Sequence, residues 1–226
     1  LTELRDQLKR LATDRGVRVV ILRAEGSAFS SGHDLRELAD CSRADAEALF
    51  AVCTEVMLGI RNLPQPVIAQ VHGIATAAGC QLVASCDLAL AAEEATFATP
   101  GVKIGLFCTT PMVPIIRLIP ARAAFEMLVT GQPISARRAQ ELGLVNRVVP
   151  ADRLDETVGE LTDAILASSP LTLALGKRAF YDQLHLSEAD AYEQAVGVMA
   201  DNARTRDAQE GIHAFLQKRQ PEWRGE

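Results

Sequence analysis

What this chain lacks narrows its chemistry before any motif is read. Its 5 cysteines (Cys41, Cys53, Cys80, Cys86, Cys108) form no CxxC pair and no Cys/His group at zinc-ligand spacing. Neither a disulfide framework nor a metal site is therefore expected, and the scattered thiols point to a reducing compartment. Basic residues fall short of acidic ones, 23 against 29, for a formal net charge of −6. With no basic stripe rising above that background, a general nucleic-acid binder is excluded. No apolar run approaches the roughly 20 residues of a membrane-spanning helix. The opening stretch, Leu1 to Arg15, is charged and amphipathic, which is not the pattern of a secretory signal. It reads as the interior of a helix, so further residues are expected upstream. Glycine (15) and proline (10) occur at ordinary frequency beside 48% hydrophobic residues, which excludes collagenous, low-complexity and disordered chains.

What is present suits one large domain, or one with an appendage. At 226 residues the chain can bury about 70% of the surface it exposes when unfolded, enough to stand without cross-links. Leu4, Leu8 and Leu11 recur at helical spacing up to Asp14-Arg15-Gly16. The β-branched run Val17–Leu22 follows and reads as a buried strand. Residues 43–61 carry an amphipathic helix, stopped at Pro64 and Pro66. Val67–Val71 and Asp87–Ala91 read as further strands around a short helix at Gln81–Ser85. Strand–helix–strand alternation of this length implies parallel pairing through right-handed crossovers. Helices are expected at 121–129, 135–142, 151–167, 170–182, 187–203 and 205–217. The division that follows is a mixed α/β core over 1–150 and a helical region over 151–226.

Three loops place backbone amides at the carboxyl ends of strands, where α/β sheets bind ligands. They are Ala28–Leu35, Gly73–Gly79 and Thr99–Cys108. The second runs into a helix start at Ala78-Gly79, whose unpaired N–H groups suit an anion or a developing oxyanion. Small residues there equally allow a helix to approach a sheet closely, and spacing alone leaves both readings open.

These segments carry a resemblance. Phe29-Ser30-Ser31-Gly32-His33-Asp34-Leu35, Pro66-Val67-Ile68-Ala69-Gln70-Val71-His72-Gly73, Ala77-Ala78-Gly79-Cys80-Gln81-Leu82 and Cys86-Asp87 resemble the crotonase (enoyl-CoA hydratase/isomerase) superfamily. Thr130-Gly131-Gln132-Pro133, Leu142-Gly143-Leu144-Val145 and the stretch from Glu210-Gly211 to Lys218-Arg219 extend the match along the whole chain in order. The resemblance implies a crotonase-like ββα spiral core followed by a C-terminal helical trimerisation region, with the family's N-terminal strand pair missing. It implies an acyl-CoA thioester as ligand, coenzyme A entering as part of the substrate and no separate cofactor. It also implies self-association into a homotrimer or hexamer. By motif position, the two backbone N–H groups that hold a thioester enolate belong to His33 and Ala78. Ser31, Gly32, Asp34, Leu35, Arg36, Gly79 and Cys108 fall at the substrate, and Phe215 and Lys218 fall at the nucleotide end of CoA.

The departures from the family matter as much. The two catalytic glutamates of a hydratase map to Gln81 and Gly101, neither of which can exchange a proton. Hydration is therefore expected to be weak or absent. His33, with an imidazole that titrates near neutrality, and the thiol of Cys108 are candidate substitutes, each weighed against a backbone or packing role. Asp34 reads as structural, pairing with Arg36; Lys103 reads as a solvated charge. Three functions stay open: an acyl-CoA enzyme with another base, such as a decarboxylase; a non-catalytic acyl-CoA-binding or regulatory protein; and a purely structural oligomer, which the intact loops disfavour. The expected location is the cytoplasm, or the mitochondrial matrix if upstream residues carry a transit peptide.

Overall fold

Apolar periodicity sets the long helices, and two small parallel sheets sort the strands between them. The computed structural model describes residues 1–226. Helix α1 (Thr2–Leu11) leads to β1 (Val20–Leu22) and β2 (Ala28–Ser30), then to α2 (Leu35–Leu38) and α3 (Arg43–Asn62). The unit repeats as β3 (Val67–Val71), β4 (Ile74–Thr76) and α4 (Ala78–Ser85). It repeats again as β5 (Leu88–Ala92), β6 (Thr96–Ala98), a 3₁₀ turn (Pro100–Ile104), α5 (Thr109–Leu118) and α6 (Ala121–Thr130). Strand β7 (Ile134–Ser135), α7 (Ala136–Leu142) and β8 (Arg147–Val149) complete the sheets. Helices α8 (Leu154–Leu166), α9 (Pro170–Gln183), α10 (Glu188–Ala203) and α11 (Arg206–Leu216) follow.

In each repeat the first strand enters one sheet and the second enters the other. The first sheet runs β1-β3-β5-β8, all parallel; the second runs β2-β4-β6-β7, with only β7 antiparallel. Strand β3 is buried on both faces. Val67, Ala69 and Val71 face the main core with Val56, Ile60, Val83, Phe97 and Ile115, while Ile68 packs on the other side with Leu90, Leu154 and Val158. This is the two-sided apolar pattern of a central parallel strand.

Two sequence expectations change here. The strand read at Val17–Leu22 is three residues long and lies at the sheet edge, with Ile21 42% exposed, because β1 has a partner on one side only. The first two candidate loops contain the short strands β2 and β4 of the second sheet and the third follows β6, so all three belong to that sheet rather than to the longer strands of the first.

A buried polar cluster fastens α9 to the strands. The Lys177 ammonium lies 2.7 Å from the Asp87 carboxylate and donates to the carbonyls of Ile60 and Gln65. Asp87 also accepts from Val67 N and from the Tyr181 hydroxyl. Burial pulls the Lys177 pKa down, and the Asp87 charge only partly offsets it. Removing one partner strands a charge. Asp87→Ala is therefore expected to cost about 3–5 kcal/mol in urea unfolding, and Asp87→Ala with Lys177→Met less than that single change.

Candidate active site

Parallel register brings the three loops together. β2, β4 and β6 are consecutive neighbours, so their carboxyl ends at Ser30, Thr76 and Ala98 emerge side by side. Ala77 N then donates to Ala98 O at 2.9 Å, tying the second loop to the third. The first loop meets the second through glycine. Gly32 has φ +92°, and a Cβ there would lie 3.0 Å from Ala77 Cβ and 3.2 Å from Ala78 N. Only glycine takes this backbone shape at so close an approach. A Cβ on Gly79 would stand 2.1 Å from Ser30 O. The start of α4 is thus pressed directly onto the end of β2.

That contact sets the amides. Neither His33 N nor Ala78 N donates a hydrogen bond within the protein. Ala78 is the first residue of α4, where N–H groups have no intrahelical acceptor and the helix dipole is positive. The residue before it, Ala77, holds φ 52° and ψ −117°, a conformation that costs a non-glycine residue about 1–3 kcal/mol. Seven of the eight residues of α4 are buried, so these groups lie in a low-dielectric setting where charge-assisted hydrogen bonds gain strength.

The side chains around the amides are poor in proton-transfer groups. Gln81 is 4% exposed, with its Oε1 3.9 Å from Cys53 Sγ, and it stays neutral. At Gly101 φ is negative, so the backbone does not require glycine; space does. A Cβ there would lie 2.0 Å from Leu106 O and 2.9 Å from Cys108 Sγ. The Cys108 thiol fills the room that a side chain at 101 would need, and burial pushes its pKa up, against reactivity as a thiolate. His33 packs edge-on to Phe50, ring centroids 5.5 Å apart, and its Nε2 is buried without a partner. Burial lowers its pKa, with Glu37 opposing, so the imidazole is neutral at pH 7.

The remaining sequence candidates divide. Ser31 and Leu35 are exposed beside Gly32. Asp34 caps α2, accepting from Arg36 N at 3.0 Å and pairing with the Arg36 guanidinium at 2.7 Å. Lys103 is exposed on the 3₁₀ turn. Phe215 and Lys218 are not brought to these loops within one chain. Helix α11 packs on α9 and α10, Phe215 is 83% exposed, and Lys218 closes the helix in a left-handed turn. The signal that sequence reading missed is Ala77, whose strain shows only in the backbone.

Comparison with known proteins bears on the family and the fold. The family described as Enoyl-CoA hydratase/isomerase matches residues 1–226. Enoyl-CoA hydratase domain-containing protein 3, mitochondrial, of Rattus norvegicus is 48% identical over 224 residues, covering 99% of this chain and 75% of the relative. The crystal structure of the human protein of that name superposes with TM-score 0.96 at 48% identity, over 98% of this chain and 88% of that one. An enoyl-CoA hydratase of Mycobacterium smegmatis gives TM-score 0.96 at 51% identity, over 98% and 87%.

Two substitutions test the loop contact. Ala77→Gly relieves the strained backbone and should stabilise the protein by about 1 kcal/mol. Gly79→Ala drives a methyl into Ser30 and should cost about 1–3 kcal/mol or more. Both are read by thermal unfolding. A destabilised Ala77→Gly or a neutral Gly79→Ala would contradict the packing described.

Proposed function

The chain belongs to the enoyl-CoA hydratase/isomerase family, and on that premise we propose that it binds an acyl-CoA thioester and stabilises its enolate with the amides of His33 and Ala78. The observation that supports this reading is that neither His33 N nor Ala78 N has an acceptor in the protein, while a Cβ on Gly32, next to His33, would lie 3.2 Å from Ala78 N. Two such donors aimed at a developing oxyanion are worth several kcal/mol in the transition state, with each donor about 2.7–3.1 Å from the oxygen. Ser31, Asp34, Leu35 and Arg36 form the rim on the first loop, and coenzyme A arrives with the substrate.

Hydration asks for more than an oxyanion hole. Water must be deprotonated and the α-carbon protonated, and Gln81 and Gly101 offer no titratable group for either step. A decarboxylation makes smaller demands, which favours a second reading. Loss of CO₂ from a malonyl-type thioester leaves its electron pair as the enolate directly, with no base required. The neutral, unpartnered imidazole of His33 stands in the same loop. A protein that only binds acyl-CoA would keep the amides and turn over nothing.

Crotonyl-, malonyl- and methylmalonyl-CoA decide between these. All three are expected to raise the unfolding temperature. Crotonyl-CoA hydration is expected well below about 10 s⁻¹, the middle of the enzyme range. Gln81→Glu alone should raise it by about tenfold or more, since one positioned carboxylate contributes about 10²–10⁴. Gly101→Glu should not, because its Cβ has no room beside Leu106 O. An ordinary hydratase rate in the unaltered protein would mean that another residue moves the proton.

Assembly belongs to the same reading. Tyr192, Val196, Met199, Ile212, Phe215 and Leu216 are exposed apolar side chains on α10 and α11, the kind of surface that marks a protein contact. A homotrimer or hexamer is expected, in which another copy can bring Phe215 and Lys218 to the CoA site that they do not reach within one chain. Sedimentation at micromolar concentration checks it; a monomer refutes it, and Phe215→Glu should weaken association. All 5 cysteines are free, which fits a reducing compartment, the cytoplasm or a mitochondrial matrix.

A further inference from the structure

Beside the amide site, and sharing the Gln81 side chain with it, lies a chamber that the two amides themselves do not line. A cavity of about 290 Å³ opens between α3, α4, α5 and α9. Its apolar walls come from Met57, Leu58, Val113, Leu118, Phe180 and Leu184, and neither His33 nor Ala78 lines it. Met57 also packs against Ala78, and with Gln81 it forms the partition between chamber and amides.

The polar end of the chamber is cationic. The Arg61 guanidinium lies 4.2 Å from the Tyr181 ring centroid and has no carboxylate partner. Asp87 is the one carboxylate in the lining, and its oxygens are already engaged by Lys177, Val67 N and the Tyr181 hydroxyl. Arg117 stands at the wall with only the Val113 carbonyl as acceptor, 2.6 Å away. A planar guanidinium seated over an aromatic ring is held in place and can still offer N–H groups to an oxyanion. Apolar walls closed at one end by an unpaired, oriented arginine match one class of ligand.

We propose that this chamber binds a single apolar chain that ends in a carboxylate, with the carboxylate on Arg61 and the chain between Leu58, Val113 and Leu184. The volume, at the small end for ligand pockets, suits one chain and excludes a two-chain lipid. The inference does not depend on turnover at the thioester site. A free fatty acid and an acyl-CoA with a carboxylate at the far end of its acyl group present the same chemistry.

Calorimetric titration of the full chain with dodecanoate below its micelle concentration provides the test. Saturable binding is expected, with dodecanol weaker by about tenfold or more for want of the charge-assisted pair. Arg61→Gln should lose a similar factor, and Arg61→Lys should retain part of the affinity. Leu58→Trp fills the chamber without touching the charge and should abolish binding, which keeps the test decisive if Arg61 variants fold poorly. A dodecanedioyl-CoA that binds more tightly than dodecanoyl-CoA only while Arg61 is present would show the chamber being reached along the thioester chain. Dodecanoate binding that persists at saturating dodecanoyl-CoA would show a separate site for the free acid. Equal binding of dodecanol and dodecanoate, indifference to Arg61→Gln in every arm, or no binding of either carboxylate overturns the proposal.

Discussion

The contact between the end of β2 and the start of α4 is the constraint on which the rest depends. The parallel register of β2 and β4 fixes how near their carboxyl ends lie. The chain can then continue into a helix only if nothing larger than hydrogen stands at Gly32 and Gly79. Meeting that condition brings Gly32, the residue before His33, against the first N–H group of α4, a helix that is buried almost throughout. A hydrogen bond to charge in such a place exceeds its worth in water, because the surroundings cannot compete for it. The strained backbone of Ala77 is the cost of turning from strand to helix within one residue.

The same crowding removes the side-chain chemistry. Gly101 is held against Leu106 O and the Cys108 thiol, so its lack of a side chain follows from packing. Gln81 has the shape of a glutamate but no charge, and at its depth an ionised carboxylate would meet a desolvation cost that raises its pKa. What the site retains is electrostatics from the backbone. On the reading proposed above, reactions that form an enolate without a base fit it better than those that need two proton transfers in register.

Much of the architecture was legible in the sequence because long elements carry strong periodicity. Helix α3 follows its apolar stripe to the prolines, and β3 is found over the same five residues that its β-branched run marks. Helices α9, α10 and α11 start where Ser169, Ser187 and Thr205 accept a hydrogen bond from the third residue on, a cap with a clear sequence form. The second sheet was not legible, since strands of three small residues such as Ala28–Ser30 and Thr96–Ala98 show no alternation. Helix α5 hides behind Pro111 and Pro114, which read as breakers although the helix accommodates them. The amide positions were legible only as motif. Their accessibility depends on contacts between residues some forty-five positions apart, such as Gly32 against Ala77 and Ala78.

Helix α4 joins the two halves of this picture. Its first residues carry the proposed amide site, and its second turn, through Gln81, Ala84 and Ser85, forms one wall of the chamber. Its ends are anchored differently, by glycine contacts at Gly79 and by the Asp87 carboxylate just beyond Cys86, which holds Lys177 and Tyr181 of α9. An eight-residue helix pinned at both ends moves as a unit if it moves at all. A substitution on its chamber side is therefore felt at the amides, whereas Leu58 on α3 alters the chamber alone. Occupancy of the chamber and geometry of the amides are in this way mechanically adjacent, separated by Met57 and one turn of helix.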